Sequence, residues 1–219
     1  MAKIWTDKLL TISQVIETLP PESNGALGIL GMARTIALMK YISKRGHFQV
    51  LDSFDYYISC FFNKIKTGNM SQMKEIQRGQ KLCDRLFSDV EGFTYDSGKS
   101  LQEKSLVERV YCLLENWFFF LGFYELPMDH PGFQDLGRMA VTPLELIDEY
   151  LYSLFDVGDQ GQYPMGMVQH RVNQEPMILR ESRMVDRDIQ LVSRPDFQSS
   201  FRGMEARMME YMQYKFWYG

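Results

Sequence analysis

The chain has 219 residues, of which 45% are hydrophobic, 24% are charged and 14% are aromatic. This composition is typical of a folded globular protein and excludes a chain that is disordered throughout. The formal net charge of -4 excludes a general attraction to polyanions, so we expect no nucleic-acid partner and no membrane partner.

Apolar residues at intervals of three and four predict four helices in the first part of the chain. The second has apolar residues on two sides and is expected to be mostly buried, and the third and fourth are amphipathic. Their approximate ranges are 5–19, 24–45, 48–66 and 70–90. Thr6 is a candidate N-cap for the first helix, and Pro20 with Pro21 ends it. No segment shows the alternating pattern of a strand bounded by hairpin turns.

Three glycines stand at intervals of three in the second predicted helix: Gly25, Gly28 and Gly31. They match neither of the glycine patterns that bind phosphate, and no strand pattern precedes them. Each glycine destabilises a helix by about 1 kcal/mol relative to alanine. We therefore expect these glycines to let another helix approach closely.

The stretch VERVYCLLENWFFFLGFYEL, residues 107–126, holds three consecutive phenylalanines, a tryptophan and two tyrosines. A membrane span needs about 18 to 20 mainly apolar residues, whereas Glu108, Arg109 and Glu115 interrupt this stretch. Its apolar side chains lie on all sides of a helix, which is typical of an element surrounded by other helices. We expect it to be the central helix of the core, and Ser100 with Glu103 has the spacing of a capping box before it.

The next segments are less regular. Residues 125–140 contain two prolines and two glycines and are predicted to be irregular. Thr142, Pro143 and Glu145 then have the pattern of an N-cap, N1 and N3 at the start of a helix. Residues 156–174 show no period and are predicted to be a long connection, which makes them a candidate for function.

Two helices are predicted after this connection. Pro176 opens the first of them. The second follows Pro195 and places one apolar face toward the core, formed by Phe197, Phe201, Met204, Met208 and Tyr211.

Five carboxylates and no lysine or arginine occur in the interval from residue 145 to residue 159. They are Glu145, Asp148, Glu149, Asp156 and Asp159. One interpretation is the solvated face of a helix. The other is a docking surface for a basic protein.

Arg34 lies in an otherwise apolar helix, and two carboxylates, Asp55 and Glu181, each share a face with apolar neighbours. A buried carboxylate needs a cation or several donors, since burial without them is strongly unfavourable. We expect Arg34 to pair with one of the two. Such a pair is either a polar pin that fixes helix register or a dyad that orients a substrate.

The histidine and cysteine patterns predict neither a catalytic site nor a metal site. The chain has three histidines, in three different segments: His47, His130 and His170. It has no HExxH, ExxH or paired-cysteine spacing. The three cysteines fall among apolar residues and are predicted to be buried thiols in a reducing compartment: Cys60, Cys83 and Cys112. We therefore predict no catalytic residue, no cofactor and no metal.

The N-terminal segment bears on location, and the C-terminal segment bears on partner binding. The N-terminal sequence MAKIWTDKLLTISQ lacks the apolar run of a secretory signal, so the expected location is the cytoplasm. The C-terminal sequence MMEYMQYKFWYG has apolar side chains on several sides of a helix, which is either inserted between other helices or contacts a partner. The predicted partner-binding residues are the five carboxylates together with Tyr163, Met165, Tyr214, Trp217 and Tyr218.

Two segments carry a resemblance to a known family: ALGILGMARTIALMKYISKRGHFQVLDSFDYYISCFFNKIK, residues 26–66, and NQEPMILRESRMVDRDIQLVSR, residues 173–194. They resemble the YjaG-like family of small all-helical bacterial proteins of unknown function. The shared features are the helix order, an Asn and Pro lead-in, Arg180 with Glu181 and the terminal DIQL. The resemblance implies a cytoplasmic bacterial helical fold and carries over no catalytic residue.

The predicted fold is all-α, with residues 1–219 forming a single domain of about eight helices around a central aromatic helix. The function that fits best is a non-enzymatic protein-binding domain, such as an immunity protein that neutralises a bacterial toxin with a basic domain. Two alternatives stay open. One is a small-molecule enzyme with an interhelical pocket that uses Arg34 and a buried carboxylate, and the other is a homo-oligomeric structural protein.

Overall fold

The computed structural model describes residues 3–46, 53–94, 101–158, 164–197, 201 and 203–212. These residues contain helices and no strand, which confirms the all-α prediction. Their α-helices are α1 (Ile4–Ile16), α2 (Pro21–Gly46), α3 (Ser53–Thr67), α4 (Met73–Thr94), α5 (Leu101–Gly122), α6 (Thr142–Gly158), α7 (Met165–Gln174), α8 (Pro176–Val192) and α9 (Met204–Met212). Two 3-10 helices, Phe123–Glu125 and Pro131–Val141, lie between α5 and α6. None of the described helices combines the length and the apolarity needed to cross a membrane.

Helix α2 is enclosed by other elements along most of its described side chains. Every residue from Ser23 to Ala37 is buried. The helix packs against α3, α5, α6, α8 and α9 and against the 3-10 helix Pro131–Val141. It begins earlier than predicted because Pro21 occupies the first helical turn, where a missing N–H is tolerated.

Gly28 and Gly31 of α2 allow a close approach, as their spacing predicts, but the approaching element is the 3-10 helix. A Cβ atom added at Gly28 would overlap the backbone oxygen of Leu136, and one added at Gly31 would overlap the backbone of Ala140. The prediction that residues 125–140 are irregular is therefore wrong for Pro131–Val141. Proline and glycine usually end helices, whereas here the glycine-lined side of α2 packs directly on a 3-10 helix of unusual length.

Aromatic side chains of α3 and α5 form a cluster in the main core, so the predicted aromatic core is present. The prediction that other helices surround α5 is wrong, because Tyr111 is 44% exposed and Phe119 is 58% exposed. The ring centroids of Phe54 and Trp117 are 4.7 Å apart, and Phe61 stacks on Phe120 at 4.1 Å. Trp117 also donates a hydrogen bond of 2.9 Å from Nε1 to the hydroxyl of Thr35 in α2. These contacts fix the three helices against one another, because ring pairs of this kind add to the burial energy.

A smaller apolar cluster joins α6, α7 and α8 to α2. Its buried members are Ala37, Leu144, Ile147, Leu151, Val172 and Ile178. Helix α7 lies inside the interval 156–174, so the prediction of a structureless connection is wrong for Met165–Gln174. The buried Val168 and Val172 stand one turn apart, and this spacing was the available signal for a helix.

The predicted helix starts are correct only in part. Pro176 occupies the first turn of α8 as predicted, but Lys3 and not Thr6 is the N-cap residue of α1. Thr142 is itself helical, and its hydroxyl donates to Asn116 Oδ1 at 3.4 Å. Because the chain enters α6 directly from a 3-10 helix, there is no separate helix end for Thr142 to cap. Ser100 lies outside the described residues.

The last predicted helix is interrupted. Phe201 and Gly203 both have positive φ angles, of 45° and 86°, and α9 begins only at Met204. Phe197, Met204, Met208 and Tyr211 are buried as predicted, while Phe201 is half-buried. A left-handed turn favoured by glycine therefore separates the two ends of the predicted face.

Candidate functional site

Each of the three nitrogens of the Arg34 guanidinium donates to an acceptor inside the protein. Nε donates to Glu181 and Nη1 donates to Asp188, both on α8, and Nη2 donates to the carbonyl oxygen of Ala140 at 2.7 Å. Arg34 and Asp188 are 0% exposed and Glu181 is 2% exposed. The network joins α2, α8 and the 3-10 helix, and it confirms the predicted pairing of Arg34 with Glu181. Asp55, the other candidate, is half-buried on α3.

Tyr211 of α9 covers this network. Its hydroxyl donates to Asp188 Oδ1 at 2.7 Å, and its ring centroid lies 5.2 Å from the guanidinium carbon of Arg34. Both oxygens of Asp188 therefore accept hydrogen bonds. Sequence reasoning missed Asp188, although it follows Glu181 by seven residues and so lies on the same helix face.

Burial raises the pKa of the Glu181 carboxyl and that of Asp188, although the charge of Arg34 opposes the shift at both groups. Two ionised carboxylates beside one guanidinium would leave a net negative charge in the interior. Glu181 is the better site for a proton, because both oxygens of Asp188 already accept from donors that stabilise its ionised form. Burial also raises the pKa of Tyr211, so its hydroxyl stays a donor.

A second charged cluster, which we call the α6 acidic cluster, consists of Glu145, Asp148 and Glu149. Arg109 of α5 donates to Glu149, and Lys3 Nζ lies 3.6 Å from Asp148 Oδ2. Burial raises the pKa of Glu145 and that of Asp148, and the charge of Glu149 raises both further. The cluster is therefore a partly enclosed set of carboxylates, and the cations among the described side chains balance its charge only in part.

The Asp148 side chain does not face solvent in the free protein. It is 0% exposed, so the prediction of an exposed carboxylate at this position is wrong. Leu144 and Leu151, four residues before it and three residues after it, are both buried, and this spacing places Asp148 on the inward stripe of α6. Glu145 and Glu149 are half-buried beside it.

Four buried polar atoms near the α6 acidic cluster find no hydrogen-bond partner in the described part of the chain. They are Trp5 Nε1, Arg109 Nε, Asp148 Oδ2 and Gln169 Oε1. Buried polar atoms in folded proteins are nearly always paired. Such a concentration of free donors and acceptors distinguishes this region from the fully paired Arg34 network.

The other predicted partner-binding residues lie near the ends of α6 and α7 or outside the described residues. Asp156 is half-buried near the end of α6, and Met165 is the first residue of α7. Five others lie outside the described residues: Asp159, Tyr163, Tyr214, Trp217 and Tyr218.

Lys64 of α3 is a buried cation that sequence reasoning missed. Its Nζ donates to the carbonyl oxygens of Phe123 at 3.2 Å and Tyr124 at 2.7 Å, and also to that of Leu126. Burial lowers its pKa to about 8. The available signal was its position three residues after Phe61, on the inward stripe of α3.

The cysteines are poor nucleophiles. Cys60 and Cys83 are buried as predicted, and Cys112 is half-buried. Burial raises the pKa of all three thiols, that of Cys83 to about 12. They are therefore protonated at neutral pH, whereas a reactive cysteine needs a thiolate.

The described histidines lie at the surface. His130 and His170 are both exposed, and His130 Nδ1 accepts a hydrogen bond from the backbone N–H of Gly132 at 3.1 Å. His47 lies outside the described residues. Within the described ranges, no three His, Cys, Asp or Glu side chains are arranged to hold a metal ion.

The chain matches no protein-family model, no curated protein and no solved structure. The resemblance to the YjaG-like family therefore stays a prediction. Function has to be inferred from the geometry of the site itself.

Proposed function

We propose that this chain is a non-enzymatic protein-binding domain that holds a basic partner against the α6 acidic cluster. The observation that carries the proposal is an excess of carboxylates over cations among the described side chains of this region. There, Glu108 and the three carboxylates of the cluster are paired with or lie near two cations, Lys3 and Arg109. Helix α6 has no lysine or arginine of its own.

Partial burial makes this excess charge unfavourable in the free protein. The pKa of Glu145 is raised first by burial and then by the neighbouring charge of Glu149. A basic side chain from a partner would favour the ionised form of Glu145, so part of the electrostatic energy would be recovered on binding. Charges in a partly enclosed site are also screened less by salt than charges on an open surface.

The partner class that we propose is a basic domain of a bacterial toxin, with this chain as its cytoplasmic immunity protein. Complementary charge speeds the encounter of two proteins and suppresses binding of wrong partners. Helix α7 packs on α6 and presents Met167, which is 55% exposed, to solvent. Methionine is enriched in protein interfaces, so this exposed side chain is available for an apolar contact with a partner.

A charge-neutralising variant tests the proposal. The whole chain is used to capture its partner from the source cells, and the purified partner is titrated against wild type and Glu145→Gln. We expect a basic partner whose affinity falls about tenfold for the variant, with a weaker salt dependence. Glu205→Gln is the matched control, because it removes an exposed carboxylate from α9.

Two results would contradict the proposal: an acidic partner, or a basic partner that binds Glu145→Gln and Glu205→Gln with equal affinity. A homo-oligomer is the remaining alternative among binding proteins. Light scattering at high protein concentration distinguishes it, since a monomeric mass argues against self-assembly as the function.

The Arg34 network supports a structural role for the buried ion pairs. The enzyme alternative relies on Arg34 to orient a substrate, but every nitrogen of this guanidinium already donates within the protein. Replacing these acceptors by a substrate would leave two buried carboxylates without their cation, which is strongly unfavourable. The protein-binding proposal needs no such rearrangement.

A further inference from the structure

The ammonium group of Lys3 lies between two aromatic rings and a buried carboxylate. Its Nζ is 5.7 Å from the ring centroid of Trp5, 5.7 Å from that of Tyr152 and 3.6 Å from Asp148 Oδ2. Trp5 belongs to α1, whereas Asp148 and Tyr152 stand one turn apart on α6. We call the side chains of Trp5, Asp148 and Tyr152 the Lys3 cage.

The carboxylate of the cage is held in place without help from Lys3. Gln169 of α7 donates from Nε2 to Asp148 Oδ1 at 2.8 Å, and the same nitrogen donates to Asn173 Oδ1 at 2.9 Å. Both Asp148 and Gln169 are buried. The second oxygen of Asp148 is the one nearer to Lys3, and it accepts no hydrogen bond from the described residues. A fixed, buried carboxylate of this kind strongly favours a cation beside it.

Lys3 fills the cage loosely. Its distance of 3.6 Å from Asp148 is longer than a hydrogen bond, and both ring distances are close to the outer limit of about 6 Å for a cation over an aromatic ring. The Lys3 side chain is 36% exposed. The residue is the N-cap of α1 with an extended backbone, and its side chain makes no capping hydrogen bond, so α1 would lose no hydrogen bond if the side chain left the cage.

We propose that the Lys3 cage is a recognition site for an alkylammonium group, which Lys3 fills in the free protein and a lysine side chain of the basic partner takes over. Two rings and a carboxylate are the combination that recognises organic cations. The exchange replaces one ammonium by another, so Asp148 is never left without a cation. For the identity of the partner this inference rests on the proposed function, whereas binding of a free alkylammonium ion does not.

A titration with n-butylammonium chloride, followed by NMR of the tryptophan indole N–H groups, tests the site in the whole chain. Trp5→Phe assigns the Trp5 signal, and Trp117, which donates to Thr35 in the core, is the internal reference. We expect the Trp5 signal of Lys3→Met to shift with an apparent affinity about tenfold higher than in wild type. This factor corresponds to a cage that Lys3 occupies for about nine-tenths of the time.

Matched variants separate the cage from general effects of charge. Lys8→Met removes another lysine of the same segment, whose ammonium pairs with Asp186, and it should bind butylammonium as weakly as wild type. Adding Tyr152→Leu or Asp148→Asn to Lys3→Met should abolish the shift, and Tyr152→Leu leaves the buried carboxylate intact if Asp148→Asn proves unstable. An unmoved Trp5 signal in Lys3→Met, or equal shifts of Trp5 and Trp117, would overturn the proposal.

Titration of the captured partner distinguishes a lysine side chain from a free amine. Tyr152→Leu should weaken partner binding about tenfold if a partner lysine enters the cage. If butylammonium binds but Tyr152→Leu leaves the partner affinity unchanged, the lysine assignment is overturned while the proposed function stands. If Glu145→Gln also has no effect on that affinity, the proposed function fails independently of the cage.

Discussion

The hydroxyl of Tyr211 donates a 2.7 Å hydrogen bond to Oδ1 of Asp188, and this contact attaches α9 to the buried network around Arg34. Arg34 donates to the other oxygen of Asp188, so donors engage both sides of this carboxylate. Glu181 accepts through Oε1 from Arg34 Nε. The two carboxylates therefore lie beside the same cation in different hydrogen-bonding environments.

Asp188→Asn should destabilise the protein far more than Glu181→Gln. The first substitution would remove a counter-ion of the buried guanidinium, which costs about 3–5 kcal/mol. Its amide NH2 group would face either Arg34, which cannot accept, or Tyr211, whose hydroxyl would have to rotate to accept. The second substitution keeps an acceptor for Arg34 and removes a carboxyl whose pKa burial raises, so we expect a loss of about 1 kcal/mol. Urea unfolding of both variants measures the difference. Equal losses would contradict the assignment of the proton to Glu181.

The raised pKa of Glu181 predicts a decline of stability with increasing pH. Above the ordinary pKa of 4.5 and below the higher pKa of the folded state, the folded protein binds more protons than the unfolded chain. Unfolding then releases a proton, and a higher pH favours unfolding. The stabilisation is complete below pH 4.5 and is lost as the pH rises through the pKa of the folded state.

Glu181→Gln is the control for this pH dependence, because glutamine does not titrate. The free energy of unfolding of the variant should improve relative to that of wild type as the pH is raised from 4.5. Urea unfolding at a series of pH values measures both. Parallel pH profiles for the two proteins would show that Glu181 does not take up a proton on folding.

Gly28→Ala should destabilise the protein by about 3 kcal/mol or more, although alanine ordinarily favours a helix. The added methyl group would overlap the backbone oxygen of Leu136, and neither backbone can move without displacing α2 from the 3-10 helix. Gly122→Ala in α5 is the control, because its Cβ would meet only Gln80 Nε2, at 3.6 Å. Thermal unfolding should show a large loss for the first variant and little change for the second. A stable Gly28→Ala protein would contradict the described contact.

Lys64→Met should lower the free energy of unfolding by about 2 kcal/mol, since the carbonyl oxygens of Phe123, Tyr124 and Leu126 lose a charged donor. The methionine preserves much of the apolar stem, so the loss reports mainly on the hydrogen bonds. Lys66→Met, in the same turn of α3 but exposed, is the matched control and should change stability by less than about 0.5 kcal/mol. Similar effects of the two substitutions in chemical denaturation would refute the role of Lys64.

Periodicity predicted most helices because each buries one continuous apolar stripe, as in α3 and α8. It also marks Pro131–Val141, because the buried Phe133, Leu136 and Ala140 follow one another at intervals of three and four. The two prolines and two glycines of the segment suggested an irregular structure instead. What a local pattern does not contain is the identity of the distant partner, the glycine-lined side of α2. The N-cap predicted at Thr142 is wrong for a similar reason, because this residue follows the 3-10 helix directly and is itself the first residue of α6.

Some of the buried charged residues could be predicted from the sequence. Glu181 and Arg34 stood out because their neighbours are apolar. Asp188, Lys64 and Asp148 occupy equivalent inward positions and could have been found by the same criterion. The Lys3 cage could not be predicted from the sequence, because Trp5 and Tyr152 belong to helices far apart in the chain and come together only when it folds.

Helix α2 packs on the 3-10 helix Pro131–Val141 through backbone atoms at Gly28 and Gly31. Since the backbone of Gly28 lies directly against the backbone oxygen of Leu136, backbone contact sets the distance between these two segments more than the choice of apolar residues elsewhere in the interior. Repacking of other core positions should therefore leave this pair of segments at a constant separation. They form a fixed frame on which the other helices of the protein can be redesigned.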